Sequence, residues 1–131
     1  MTAHPNPEPS RLVLLVDDDP IVRATLSLIL NGAGYQTICA EDGDVAQQLI
    51  RDRRPDVIVT DIFMPKQDGF GLMNWLRRQG VQIPVVAISG RSCAAEFDGL
   101  GLARRLGAVS VLEKPFSTRD LTAAVGTALA A

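Results

Sequence analysis

Five short runs rich in Val, Ile and Leu, separated by stretches with helical periodicity, narrow the fold of this chain more than any other feature. They are Leu12 to Val16, Gln36 to Ala40, Val57 to Thr60, Pro84 to Ile88 and Val109 to Leu112. Nearly continuous apolar runs of this length suit strands buried on both faces. Between and after them, Val22, Leu26 and Ile29 mark one helical stripe, and Val45 with Leu49 a second. Leu72, Met73 and Leu76 form a third, and Leu121, Val125 and Leu129 the last. Strands and helices that alternate with short links require a parallel sheet with helices on both faces and right-handed crossovers. The expected class is α/β, built from five βα units.

Punctuation along the chain agrees. Gly32 and Gly34 suit the end of the first helix, and Asp19 ahead of Pro20 suits its start. Asp44 is the expected cap of the second helix, and Ser117 with Asp120 reads as a capping pair for the last. Gly99 and Gly101 each lower helix propensity by about 1 kcal/mol relative to Ala, so an irregular fourth helix is expected over 91–106. Residues 1–10 hold Pro5, Pro7 and Pro9 among small polar residues, which predicts a disordered tail ahead of one domain over 11–131. His4 lies in that tail and is expected to be inert.

A chain of 131 residues has the size of one domain, so no output module is expected within it. Thirteen basic against fifteen acidic residues give a net charge of −2, which argues against direct nucleic-acid binding. Cys39 and Cys93 are far apart and form no CxxC pair, so both read as packing residues with free thiols in a reducing cytoplasm. Charges or Gly interrupt the apolar stretches well before bilayer-spanning length, which predicts a soluble protein with no membrane contact.

Charged residues gather where the apolar runs stop. Asp17, Asp18 and Asp19 follow the first run, Asp61 the third and Lys114 closely follows the fifth. In a parallel sheet these ends share one edge, where ligands bind. Ionised carboxylates packed together repel unless a cation joins them or their pKa values shift. With oxygen ligands only and no Cys/His cluster, magnesium is the expected cation.

Four segments carry a resemblance: LLVDDDP at Leu14 to Pro20, DVIVTDIFMPKQDG at Asp56 to Gly69, IPVVAISG at Ile83 to Gly90, and EKPF at Glu113 to Phe116. Their order and spacing resemble the receiver domains of two-component response regulators. The resemblance implies a flavodoxin-like, doubly wound sheet in the order 2-1-3-4-5. It also implies phosphoryl transfer from a phosphohistidine on another protein to Asp61, with Asp18 on the magnesium directly and Asp17 directly or through water. Asp61 and the backbone carbonyl of Phe63 would complete the protein's ligands. Ser89 would hydrogen-bond one phosphoryl oxygen, Lys114 would pair with another, and Gly90 would leave room for the group. A cis peptide before Pro115 would aim Lys114 into the pocket.

The implied partners are a sensor histidine kinase or a histidine phosphotransfer protein as donor and a separate protein target. A homodimer through the face of the expected fourth and fifth helices with the fifth strand is a further implied contact. The chain's only histidine, His4, gives it no internal donor of its own. The expected role is a stand-alone cytoplasmic switch that phosphorylates and dephosphorylates itself and is not a turnover enzyme. Val111 stands where relatives commonly turn an aromatic ring inward, and a β-branched aliphatic cannot do that. Phe63 and Arg91 occupy variable positions flanking the site. A receiver-like module that works without phosphorylation is the alternative. A phosphohydrolase would use a second Asp two positions after the nucleophile, where this chain has Phe63.

Overall fold

The structure, a computed structural model, describes residues 10–62, 69–89 and 107–130. Five strands form one parallel sheet: β1 (Leu12–Val16), β2 (Gln36–Ala40), β3 (Val57–Asp61), β4 (Val85–Ser89) and β5 (Ser110–Glu113). Their order is β2-β1-β3-β4-β5, the doubly wound arrangement that the resemblance implies. Among the described residues the helices are α1 (Pro20–Gly32), α2 (Gly43–Arg53), α3 (Gly69–Gln79) and α4 (Thr118–Ala130), which is nearest the C-terminus. The irregular helix expected over 91–106 and all of the expected tail except Ser10 lie outside the described residues.

Period-two alternation sorts each strand's side chains between two cores. Leu14, Ile58 and Ala87 face α2 and α3, where they meet Ala46, Ile50, Leu72, Met73 and Leu76. Val13, Leu15, Val59 and Val86 face α1 and α4, where they meet Leu26, Leu30, Leu121 and Val125. Each fully buried aliphatic side chain contributes about 1.5–3 kcal/mol of transfer free energy, so both helix layers are held mainly by this contact.

Burial on both faces holds for β1, β3 and β4 and fails at β2 and β5. These two are the sheet's edges, each with one strand neighbour. Cys39, expected as a packing residue, therefore lies at the surface on β2. Strand ends also move. β3 takes in Asp61, and β4 and β5 each start and finish one residue later than expected, ending on Ser89 and Glu113. The ladder pairs Asp61 with Ile88 and Ser89 with Glu113, so backbone register carries each strand past its last apolar residue.

Two expectations for α2 are corrected. Its cap is Asp42, whose Oδ1 accepts the Val45 N–H at 2.9 Å, and Asp44 sits in the first turn instead. β2 ends at Ala40, and the short link starts the helix earlier than the Asp44 reading allowed. The buried line runs through Ala46 and Ile50, while Val45 is 37% exposed. A small Ala on the sheet side leaves room for close helix packing and turns Val45 to the rim. At α1, Asp19 Oδ1 accepts the Ile21 N–H at 2.8 Å, and Gly34 takes a φ of +100° after the helix, as its sequence position suggested. At α4, Asp120 N–H donates to Ser117 Oγ at 3.0 Å and Ser117 N–H to Asp120 Oδ2 at 3.3 Å, a reciprocal capping box.

Candidate functional site

From β1 the chain passes to β2 on one side of the sheet, and β3 lies on the other, which opens a crevice at the carboxyl ends of the strands. Asp17 follows β1, Asp61 closes β3, Ser89 closes β4, and Lys114 follows β5. One carboxylate oxygen from each of Asp17, Asp18 and Asp61 falls within a 4.8 Å cluster. Asp17 and Asp61 are buried and Asp18 is exposed, so the cluster has a closed floor and an open side. Lys114 Nζ lies 3.7 Å from Asp17 Oδ2 and 3.6 Å from Asp61 Oδ2, one ammonium shared by two buried carboxylates.

Asp17 is held at nearly every polar atom. Its N–H donates to the Ala40 carbonyl at 3.2 Å, its carbonyl accepts from Arg23 Nη1 at 2.7 Å, and its Oδ1 accepts the Asp19 N–H at 2.9 Å. Oδ2 is buried and accepts no hydrogen bond. Leaving such an acceptor unsatisfied costs about 1–3 kcal/mol. Lys114 Nζ at 3.7 Å offsets part of that cost, and a divalent cation among the three carboxylates would supply the direct contact that Oδ2 lacks. The donor set is hard oxygen throughout, which fits magnesium better than softer ions.

The neighbouring positions are fixed by backbone. Ser89 is buried, and its carbonyl accepts the Lys114 N–H at 2.8 Å, which ties the ends of β4 and β5 together. Ile62 N–H donates to the Ile88 carbonyl at 2.9 Å and continues the chain past Asp61. The peptide between Lys114 and Pro115 is cis, as the resemblance implies. Val111 pairs with Ala87 and packs, half-buried, against the core under α2 and α3. Phe63, Gly90 and Arg91 lie outside the described residues.

The sequence reading assigned nothing to Arg23. The signal was present: Arg23 is the one charged residue in the α1 sequence PIVRATLSLILNG. Its guanidinium also bears on Cys39, whose thiol burial pushes up from its ordinary pKa while the Arg23 charge partly offsets that rise.

The family model described as the response regulator receiver domain matches residues 13–126. The chain belongs to the receiver domain family of two-component response regulators. This receiver is 34% identical over 116 residues to the alkaline phosphatase synthesis transcriptional regulatory protein PhoP of Bacillus subtilis (strain 168), covering 88% of this chain and 47% of the relative. It is 38% identical over 112 residues to the response regulator MprA of Mycobacterium sp. (strain KMS), covering 85% of this chain and 47% of that protein. Among solved structures, the receiver domain of a Francisella response regulator superimposes with a TM-score of 0.80 at 32% identity, covering 92% of this chain and 98% of that one. The receiver thus spans about half the length of these curated relatives, which lend no support to a stand-alone role. Among the described residues, no helix is long and apolar enough to cross a membrane.

Proposed function

We propose that this receiver accepts a phosphoryl group on Asp61 from a phosphohistidine of another protein, in a magnesium-dependent reaction, and that the modification switches its protein contacts. The observation that carries the reading is the convergence of three carboxylates within 4.8 Å, with one lysine shared between the two buried ones. Catalysis of phosphoryl transfer is mostly positioning and neutralisation of charge, and this pocket supplies both.

In the step proposed, an Asp61 carboxylate oxygen attacks phosphorus. An O–P bond forms as the P–N bond of the donor breaks, and the bond pair leaves with the imidazole nitrogen. Asp17, Asp18 and Asp61 would hold magnesium, which would supply positive charge to the phosphoryl oxygens. Lys114 neutralises another of those oxygens, and the Ser89 hydroxyl donates a hydrogen bond to the transferred group. Hydrolysis of the resulting acyl phosphate returns Asp61, so the receiver is a switch with its own timer and not an enzyme turning over external substrates. A histidine kinase or phosphotransfer protein in the cytoplasm is the proposed donor, and a protein target the proposed reader. Transcriptional regulation belongs to the PhoP relative's name and is not carried over.

Incubation with magnesium and acetyl phosphate, followed by intact-mass measurement, tests the reading. One phosphoryl adduct is expected on the native protein, and none on Asp61→Asn or after chelation. An adduct that survives Asp61→Asn puts the phosphoryl group on another residue and overturns the Asp61 assignment, whereas none on the folded native protein from acetyl phosphate or a cognate kinase favours an interaction module that works without phosphorylation.

A further inference from the structure

We infer that Arg23 is a positioning residue for the metal site, acting through the main chain of Asp17 to keep Oδ2 without a hydrogen bond at the carboxylate cluster. The inference rests on the reading of Asp17 as a magnesium ligand. Asp17 lies just past β1, where the strand's ladder stops and its carbonyl would otherwise need a partner. Arg23, in the first turns of α1, reaches back and donates Nη1 to that carbonyl at 2.7 Å, a short, charge-assisted bond. With the N–H on Ala40 at 3.2 Å and Oδ1 on the Asp19 N–H at 2.9 Å, rotation of the carboxylate breaks an existing bond. The oxygen left over is buried, accepts no hydrogen bond and shares the Lys114 ammonium, 3.7 Å away, with Asp61.

A cation next to a cation site should, on charge alone, weaken binding. Removing Arg23 would then tighten magnesium. A positioning role gives the opposite sign. Without the guanidinium, the Asp17 carbonyl loses its donor, the turn from Asp17 to Asp19 loosens, and the carboxylate can turn Oδ2 out of the cluster onto backbone amides. The effect of Cys39's neighbour on its thiol is consistent with a guanidinium held across the ends of β1 and β2.

Calorimetric titration with magnesium of the native protein, Asp17→Asn and Arg23→Met separates these cases, joined by the magnesium dependence of acetyl phosphate labelling. Arg23→Met is expected to weaken magnesium by about tenfold, the scale typical of groups that orient a ligand. Its labelling rate at saturating magnesium is expected to stay close to native. Equal or tighter magnesium binding by Arg23→Met overturns the inference. A saturated rate that falls along with affinity assigns Arg23 a general structural role and overturns it too. If the native protein binds no magnesium, or Asp17→Asn binds it as well as native, the metal reading itself fails and the inference goes with it.

Discussion

At the carboxyl rim of the sheet, Asp17 and Asp61 are buried beside each other with Lys114 between them. At the opposite rim, where α2 and α3 run out, Arg51, Arg53, Arg77 and Arg78 occupy the last helical turns and stand in solvent. The arginines complement the helix dipoles, and Arg51 lies 5.2 Å from the centroid of the Trp75 ring, a contact worth about 0.5–1 kcal/mol when exposed. None of these four needs a ligand. The aspartates are packed against their own kind, and one buried oxygen lacks a hydrogen bond. Burial, more than the number of charges, separates a rim that is finished by folding from one that folding leaves incomplete.

The comparison is most exposed to a thermal measurement. Magnesium at a hundred times its Kd should stabilise the receiver by about 2.7 kcal/mol, read as a rise in Tm. Asp17→Asn should lose that rise and Arg77→Ala should keep it. Loss of the rise in Arg77→Ala would break the distinction between the rims.

A smaller effect sharpens it within the carboxyl rim itself. In the metal-free protein, Asp61→Asn should raise stability by about 1 kcal/mol, because relief of repulsion from two neighbouring carboxylates outweighs the lost contact with Lys114, which keeps Asp17 as a partner. Asp42→Ala should lower it by about 1 kcal/mol, because Asp42 caps α2. Denaturant unfolding that gave both variants the same sign would show that the acids of this rim do not divide into structural and functional sets.

The smallest signal comes from Cys39. Burial raises its pKa, so the thiol stays protonated at pH values where a free cysteine has begun to ionise. Alkylation should be slow at neutral pH and accelerate as pH climbs beyond the ordinary thiol range, and Arg23→Met should push that onset higher still. A rate already at its plateau near neutrality would contradict the burial argument.

Much of this could be read from the chain because the informative residues sit where polarity changes abruptly. Asp17, Asp61 and Lys114 stand out against apolar runs, and parallel topology then puts them at one edge. Asp19 before Pro20 and the Ser117–Asp120 pair were equally legible, since local chemistry alone fixes a cap. What escaped depends on distance in space. Nothing local marks β2 and β5 as edges, so the exposed position of Cys39 was hidden. Choosing Asp42 over Asp44 depends on where β2 stops, and choosing Ala46 over Val45 depends on how closely α2 approaches the sheet. Arg23 was visible only as an isolated charge on α1, because its partner is a carbonyl, and carbonyls look identical in a sequence.

The sheet order has one more consequence. Asp17, Asp61 and Lys114 come from three strand ends far apart along the chain, and β4 must be seated between β3 and β5 before Lys114 can reach the aspartates. A chain with any inner strand missing presents scattered carboxylates and nothing more. Whatever recognises the assembled set therefore inspects the whole molecule at once, and a half-made copy is silent to it.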